Sequence, residues 1–76
     1  MRKVEVLGTA RNSIRRTIAV YFKMHHATKA RIEKDIWNSM FYGAFKYCEL
    51  EKTVPGIYKL SGPIECVNTI LPFFDK

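Results

Sequence analysis

Residues 28–50 read TKARIEKDIWNSMFYGAFKYCEL and join a charged beginning to the densest run of apolar and aromatic residues in the chain. Ile32, Ile36 and Met40 recur at every fourth position, and apolar spacing of this kind continues as far as Cys48. Such spacing is typical of a helix with one face turned toward a core. The stretch therefore predicts helical structure at the centre of the fold.

Asn38 and Ser39 interrupt this stretch. Their side chains compete for backbone hydrogen bonds and favour turns and caps over helix interiors. We therefore expect a helix over residues 29–37, a tight turn, and a second helix over residues 39–51. The alternative is one continuous helix with the polar pair on its solvent-exposed side.

The residues before this stretch predict a short strand and another helix. Residues 3–7 alternate in polarity, which indicates a strand that Gly8 and Thr9 end. Asn12 or Ser13 is a suitable N-cap for a helix that reaches about residue 26, with its apolar residues on one face and basic residues on the other. This order places two helices ahead of the one over residues 39–51.

The residues after it change in character and predict a hairpin. Residues 57–60, IYKL, and residues 64–67, IECV, are short runs that suit a pleated surface. Ser61, Gly62 and Pro63 separate them and form the turn. The apolar tail, residues 68–76, is expected to pack on the domain or against a second chain.

Length and composition limit the protein to one domain and a few functional classes. The 76 residues are 47% hydrophobic, which is enough for a compact core in a single domain over residues 1–76. Cys48 and Cys66 stand alone, without the spacing of a zinc or redox site. Adjacent histidines 25 and 26 on one helix point about 100° apart and are poorly placed to chelate one ion. We therefore expect no metal, no cofactor and a reducing compartment.

No apolar run approaches the length of a membrane span, and the first residues are too charged for a signal peptide. We expect a cytoplasmic protein without a membrane partner. The net charge of +6 is concentrated in residues 1–37, which hold nine Lys or Arg and three acids, whereas residues 38–76 hold four of each. This excess favours polyanionic partners such as nucleic acid, or an acidic protein surface.

The predicted order of elements resembles a winged helix-turn-helix domain. The resemblance covers roughly residues 13–67 and rests on RIEKDIW paired with NSMFYGAFKYCELEK, followed by VPGIYKLSG as the first strand of a wing. It implies an α+β fold of three helices and a small β-hairpin wing. It also implies that the third helix enters the major groove of DNA while the wing, with Lys59, touches the neighbouring backbone.

Successive residues of the third predicted helix turn by 100°, which places Ser39, Tyr42 and Lys46 on its outer side and Asn38 at the margin. These side chains are able to reach phosphates or base edges. Lys29 and Arg31, at the start of the preceding helix, are placed to contact the backbone. The predicted nucleic-acid site consists of Lys29, Arg31, Asn38, Ser39, Tyr42, Lys46 and Lys59.

Two functions are compatible with these observations. The first is a small protein that binds double-stranded DNA as a regulator or accessory factor and forms a homodimer, because a single module of this size offers limited specific contact. The second is a protein-binding module, as in a viral or mobile-element protein that recognises an acidic partner. An enzyme is not expected, because no phosphate-binding loop, activated nucleophile or carboxylate cluster is present.

Overall fold

Two β-hairpins, each followed by helical structure, make up this protein. The computed structural model describes residues 4–75. The elements in chain order are β1 (Val4–Asn12), β2 (Thr17–Met24), α1 (His26–Trp37), α2 (Tyr42–Phe45), β3 (Glu49–Val54), β4 (Ile57–Pro63), α3 (Ile64–Ile70) and a short 3-10 helix (Leu71–Phe74). The strands form one antiparallel sheet in the order β1-β2-β4-β3, so β2 and β4 are central.

Burial alternates along β2 and shows which face of the sheet carries the core. Ile18, Val20, Phe22 and Met24 are buried, and the residues between them are not. Such a period of two is the signature of a strand with one covered face. The same face continues into β4, where Tyr58 and Leu60 lie opposite Phe22 and Val20 and are also buried.

The helices cover this face and complete the core. The fully buried helical side chains come from two helices: α1 supplies Ile36, and α3 supplies Val67 and Ile70. They form one cluster with the inward residues of β2 and β4. The tail closes the cluster, because the ring of Phe74 stacks on the ring of Phe22 with centroids 4.6 Å apart. The structure thus confirms that the apolar tail packs on its own domain.

The fold is α+β, but the predicted winged helix-turn-helix with three helices and a small wing is wrong. The four-stranded antiparallel sheet overturns it, because β2 occupies most of the residues 13–26 that were predicted to be a helix. That segment fits both periods, since residues 14, 18, 21 and 22 also fall on one helical face. The β-branched and aromatic side chains of β2 pack against neighbouring strands and decide between the two.

The stretch over residues 28–50 is helical only in part. The first helix is confirmed, and α1 ends at Trp37 with Asn38 as its C-cap. The second helix predicted over residues 39–51 is wrong, because α2 has four residues and β3 begins at Glu49. Residues 49–54 pair with β4 instead, so a distant strand overrides the local helical spacing.

The second half of the predicted wing is also wrong. Residues 64–67 belong to α3, and β4, which contains the predicted strand 57–60, pairs with β2 and β3. Pro63 has no N–H to donate and ends the strand. The predicted first strand, residues 3–7, falls within β1 from Val4 onward, but β1 runs on through Gly8 and Thr9 to Asn12. Lys3 lies outside the described residues.

Gly62 allows the chain between α2 and β3 to approach the end of β4 closely. Its φ of 154° lies in the region that glycine adopts readily. A Cβ atom at this position would lie 2.9 Å from the carbonyl oxygen of Tyr47 and 3.2 Å from Sγ of Cys48. The chain between α2 and β3 therefore packs directly on the backbone at the end of β4.

Candidate nucleic-acid interface

The sheet has a second face, opposite the core, that the described helices do not cover. Residues that pair across antiparallel strands point to the same side of the sheet. The register therefore places three transverse rows on this open face: Glu5–Lys23–Ile57, Gly8–Tyr21–Lys59–Glu51 and Ala10–Ala19–Ser61–Glu49. None of these residues is buried. We call this surface the open face.

Small side chains give the open face a shallow depression at the end next to the β1–β2 turn. Ala10, Ala19 and Ser61 lie side by side on β1, β2 and β4. With Thr17 and Lys59 they line a depression of about 280 Å³. Polar and charged side chains border this depression.

Lys23 and Lys59 supply positive charge on the open face. Lys23 is exposed and lies across from Glu5 in the register. The ammonium group of Lys59 lies 3.7 Å from the carboxylate of Glu51, and both side chains are partly exposed. An exposed pair at this distance contributes little to stability, so Lys59 remains available to a stronger anionic partner.

The turn between β1 and β2 extends the basic surface. Arg11, Arg15 and Arg16 surround it, and all three are exposed. The Asn12 side-chain oxygen accepts a hydrogen bond from the Arg15 N–H at 3.1 Å, which fixes the turn. The Arg16 carbonyl accepts a bond from the Ile64 N–H at 3.0 Å and ties the turn to the start of α3. We call residues 11–16 the basic turn.

Of the predicted site residues, the structure places only Lys59 on the open face. The other six lie in the helical layer on the far side of the sheet: Lys29 and Arg31 in α1, Asn38 and Ser39 after it, Tyr42 in α2 and Lys46 at its end. The predicted recognition helix is absent because residues 39–51 divide between α2 and β3. The predicted site is therefore not one surface.

Three of these residues have structural contacts instead. Lys29 forms an ion pair with Glu33 at 2.7 Å and lies 5.8 Å from the centre of the Tyr58 ring. Asn38 is the C-cap of α1. The hydroxyl of Ser39 donates to the Ile36 carbonyl at 2.7 Å and accepts from the Phe41 N–H at 3.1 Å. These contacts shape the end of α1.

The sequence does not indicate Arg11, Arg15, Arg16, Tyr21 and Lys23 as a site, because the predicted helix over residues 13–26 contains the last four and Arg11 lies just before it. The signal for a strand is the run TIAVYFK, which is rich in β-branched and aromatic residues. Read as a strand, this run places Tyr21 and Lys23 together on the face opposite the core. The preceding arginines then fall in the adjoining turn.

The helical side carries exposed apolar residues around the junction of α1 and α2. Their exposed fractions are large: Met40 85%, Tyr47 71%, Tyr42 51%, Trp37 49% and Phe41 41%. The ring of Trp37 packs edge-on against Phe45 at 5.1 Å, so one side of it joins the core. We call these five residues the aromatic patch.

An apolar groove lies beside β1 on the core side of the sheet. It has a volume of about 520 Å³ and is lined in part by Val6, Leu71 and Phe74. Val6 faces the core side, opposite Phe22, but remains 58% exposed. The groove is separate from the open face.

Cys48 and Cys66 are free thiols, and both are partly exposed. Burial, and to a smaller extent the charge of Cys66, raises the pKa of Cys48 from 9.0 to about 11. A thiol with such a pKa is protonated at neutral pH and is a weak nucleophile.

Among residues 4–75 no three His, Cys, Asp or Glu side chains form a group that could hold a metal ion.

The two histidines lie at the start of α1 rather than at the end of a helix. His25 is its N-cap, and its Nδ1 accepts a hydrogen bond from the Ala27 N–H at 3.1 Å.

In the part of the chain that the structure describes, no helix has the length and apolar character needed to cross a membrane. Comparison with protein-family models, curated proteins and solved structures finds no match to this chain.

Proposed function

We propose that this protein binds double-stranded DNA through the open face and the basic turn. The observation that carries the proposal is the continuity of these two surfaces, since β1 and β2 lead from the open face directly into the turn. Lys23 and Lys59 lie on the face, and Arg15 and Arg16 lie in the turn, whereas Arg11 pairs with Ile18 and is on the core side of β1. Polyanion binding of this kind requires cations on a surface that the core does not occupy.

The shape of the surface supports a duplex as the ligand. The major groove of B-DNA admits a two-stranded β-ribbon, and β1 and β2 form a hairpin at one edge of the four-stranded sheet. β1 has nine residues, which corresponds to roughly 30 Å at about 3.3 Å per residue. The hairpin is therefore long enough to follow a groove while its turn reaches the phosphate backbone.

Acidic and basic side chains lie at different edges of the sheet. The acidic residues Glu49 and Glu51 lie on β3, at the edge farthest from the hairpin strand β1. The arginines lie at the turn of the hairpin. The open face carries Glu5, Glu49 and Glu51 as well as Lys23 and Lys59, so a duplex is attracted toward the arginines of the basic turn and repelled from the β3 edge. Arginines at the turn would contact phosphates, and Tyr21 and Ser61 would face the groove.

The experiment is fluorescence anisotropy of a labelled duplex at about 50 and about 200 mM salt, a range over which several phosphate contacts cost orders of magnitude in affinity. Binding that weakens steeply with salt supports the proposal. Loss of one phosphate contact reduces the slope of log K against log salt by about 0.9. We expect this reduction for Lys23→Gln and Arg15→Gln.

Matched controls separate this surface from the helical side. Arg31→Gln and Lys46→Gln remove the same charge from exposed positions in α1 and at the end of α2. They should leave the salt slope unchanged. The proposal fails if the wild-type protein does not bind duplex at the lower salt, or if the control variants weaken binding as much as Lys23→Gln does.

A second candidate is binding to another protein through the aromatic patch. Exposed aromatic residues and Met are enriched in protein interfaces, and five of them are clustered here. This function predicts that Trp37→Ala and Met40→Ala abolish capture of a partner and leave the affinity for duplex unchanged. The DNA-binding proposal does not depend on this patch. A protein that binds duplex DNA through the open face would act as a regulator or an accessory factor.

A further inference from the structure

Ile14 is the most exposed large apolar side chain in residues 4–75, with 95% of its surface accessible. It lies within the basic turn, where turn chemistry favours Gly, Asn, Asp and Ser. Folding gives no reason for isoleucine here, because a side chain that contacts almost nothing adds nothing to the core. A ligand that covers Ile14 would gain the apolar contact that the fold does not use.

The backbone holds Ile14 in a fixed position. The turn is closed on one side by the hydrogen bond from the Arg15 N–H to the Asn12 side chain. On the other side, Arg16 has a φ of 54° and its carbonyl is bonded to the Ile64 N–H. An apolar group displayed on an anchored turn loses little freedom on binding, which favours affinity.

We infer that Ile14 contacts the C5-methyl groups of thymine in the major groove. The inference rests on the proposed function and extends it to base recognition. Arg15 and Arg16, on the C-terminal side of Ile14, would contact phosphates, which position a protein on the duplex without reading its sequence. An aliphatic side chain cannot bond to phosphate, whereas apolar contact with the thymine methyl is an established means of base readout.

The test compares two alternating duplexes of the same length and charge, one containing adenine and thymine and the other adenine and uracil, which lacks the methyl group. Wild-type protein should bind the thymine duplex about fourfold more tightly, the effect expected from burying one methyl-sized group. Ile14→Ser should bind both duplexes equally, and Ile14→Val should retain most of the preference. Salt slopes should be the same for all three proteins, because no charge changes.

A control variant shows that the effect belongs to this position. Val54→Ser removes a half-exposed apolar side chain from the end of β3, far from the hairpin strand β1 in the sheet order, and should keep the thymine preference. The inference is overturned if the wild type binds both duplexes equally or if Ile14→Ser keeps the preference. Absence of salt-sensitive binding to either duplex would overturn the proposed function as well.

Discussion

The rings of Phe22 and Phe74 stack almost parallel, with an interplanar angle of 11° and centroids 4.6 Å apart. Phe22 is in a central strand, and Phe74 is close to the end of the described chain. This contact therefore joins the tail to the middle of the sheet.

We expect Phe74→Ala to lower the free energy of unfolding by about 3–5 kcal/mol, the usual cost of removing a buried phenylalanine ring. The side chain is 3% exposed, so the variant leaves a cavity against Phe22. Urea denaturation measures the change. Tyr47→Ala, which truncates a 71% exposed aromatic residue, is the control and should change stability little. Equal stability of Phe74→Ala and wild type would mean that the tail is not part of the core.

Substitution by alanine should have opposite effects on stability at Gly62 and at Gly43. Gly62→Ala places a Cβ atom 2.9 Å from the Tyr47 carbonyl oxygen at a φ of 154° and should destabilise the protein by more than about 1 kcal/mol. Gly43→Ala meets no atom within 4 Å in α2 and should stabilise it by about 0.4–1 kcal/mol. Thermal unfolding compares them, and a shift of the same sign in both would contradict this packing.

Ser39→Ala tests the structural role of a residue that the sequence placed in the DNA site. The substitution removes the hydrogen bonds to the Ile36 carbonyl and from the Phe41 N–H. We expect it to cost about 0.5–2 kcal/mol in urea denaturation, as for other capping hydroxyls. The affinity for duplex should stay the same. Weaker binding at unchanged stability would return Ser39 to the nucleic-acid interface.

Cys48 should react slowly with iodoacetamide at neutral pH. Because the pKa of Cys48 is raised to about 11, the reactive thiolate is a small fraction of the thiol at neutral pH. The thiolate becomes the main form only above about pH 11. The folded state holds the proton more tightly than the unfolded state does. The contribution of Cys48 to stability is thus complete below pH 9 and is lost as the pH rises toward 11.

Mass spectrometry of peptides alkylated at a series of pH values measures this reactivity. In Cys66→Ser the alkylation of Cys48 should shift to lower pH by a small amount only, because burial is the larger cause of the raised pKa. Half-maximal modification of Cys48 near pH 8 would show that the thiol is not protected as described.

The sequence predicted those elements whose local signals have one meaning. Ile32 and Ile36 are four residues apart with charged residues between them, which predicts a helix. Asn38 ends this helix as expected. Residues 57–60 are a strand because Ile, Tyr and Leu surround a single Lys between two turns. Local chemistry is sufficient in both cases.

The remaining elements depend on partners that are distant in the sequence. The first residues of β3 continue the helical spacing of the apolar and aromatic residues before them. They form a strand because they pair with β4. Val67 and Ile70 suit a strand or a helix, and they become helical because Pro63 ends the ladder. The candidate site was missed for the same reason, since the open face exists only when β2 is a strand.

The pairing of β2 with β4 determines the order in which this chain is able to fold. Thr17 pairs with Pro63 and Lys23 with Ile57, so the centre of the sheet joins segments that are about half the chain apart. Closing so long a loop is entropically unfavourable until the strands dock, which slows folding relative to helical proteins of similar length. During synthesis, the apolar face of β2 is not fully covered until α3 and Phe74, which follow β4 in the chain, have left the ribosome. Of all the elements, β2 depends most on early protection from aggregation.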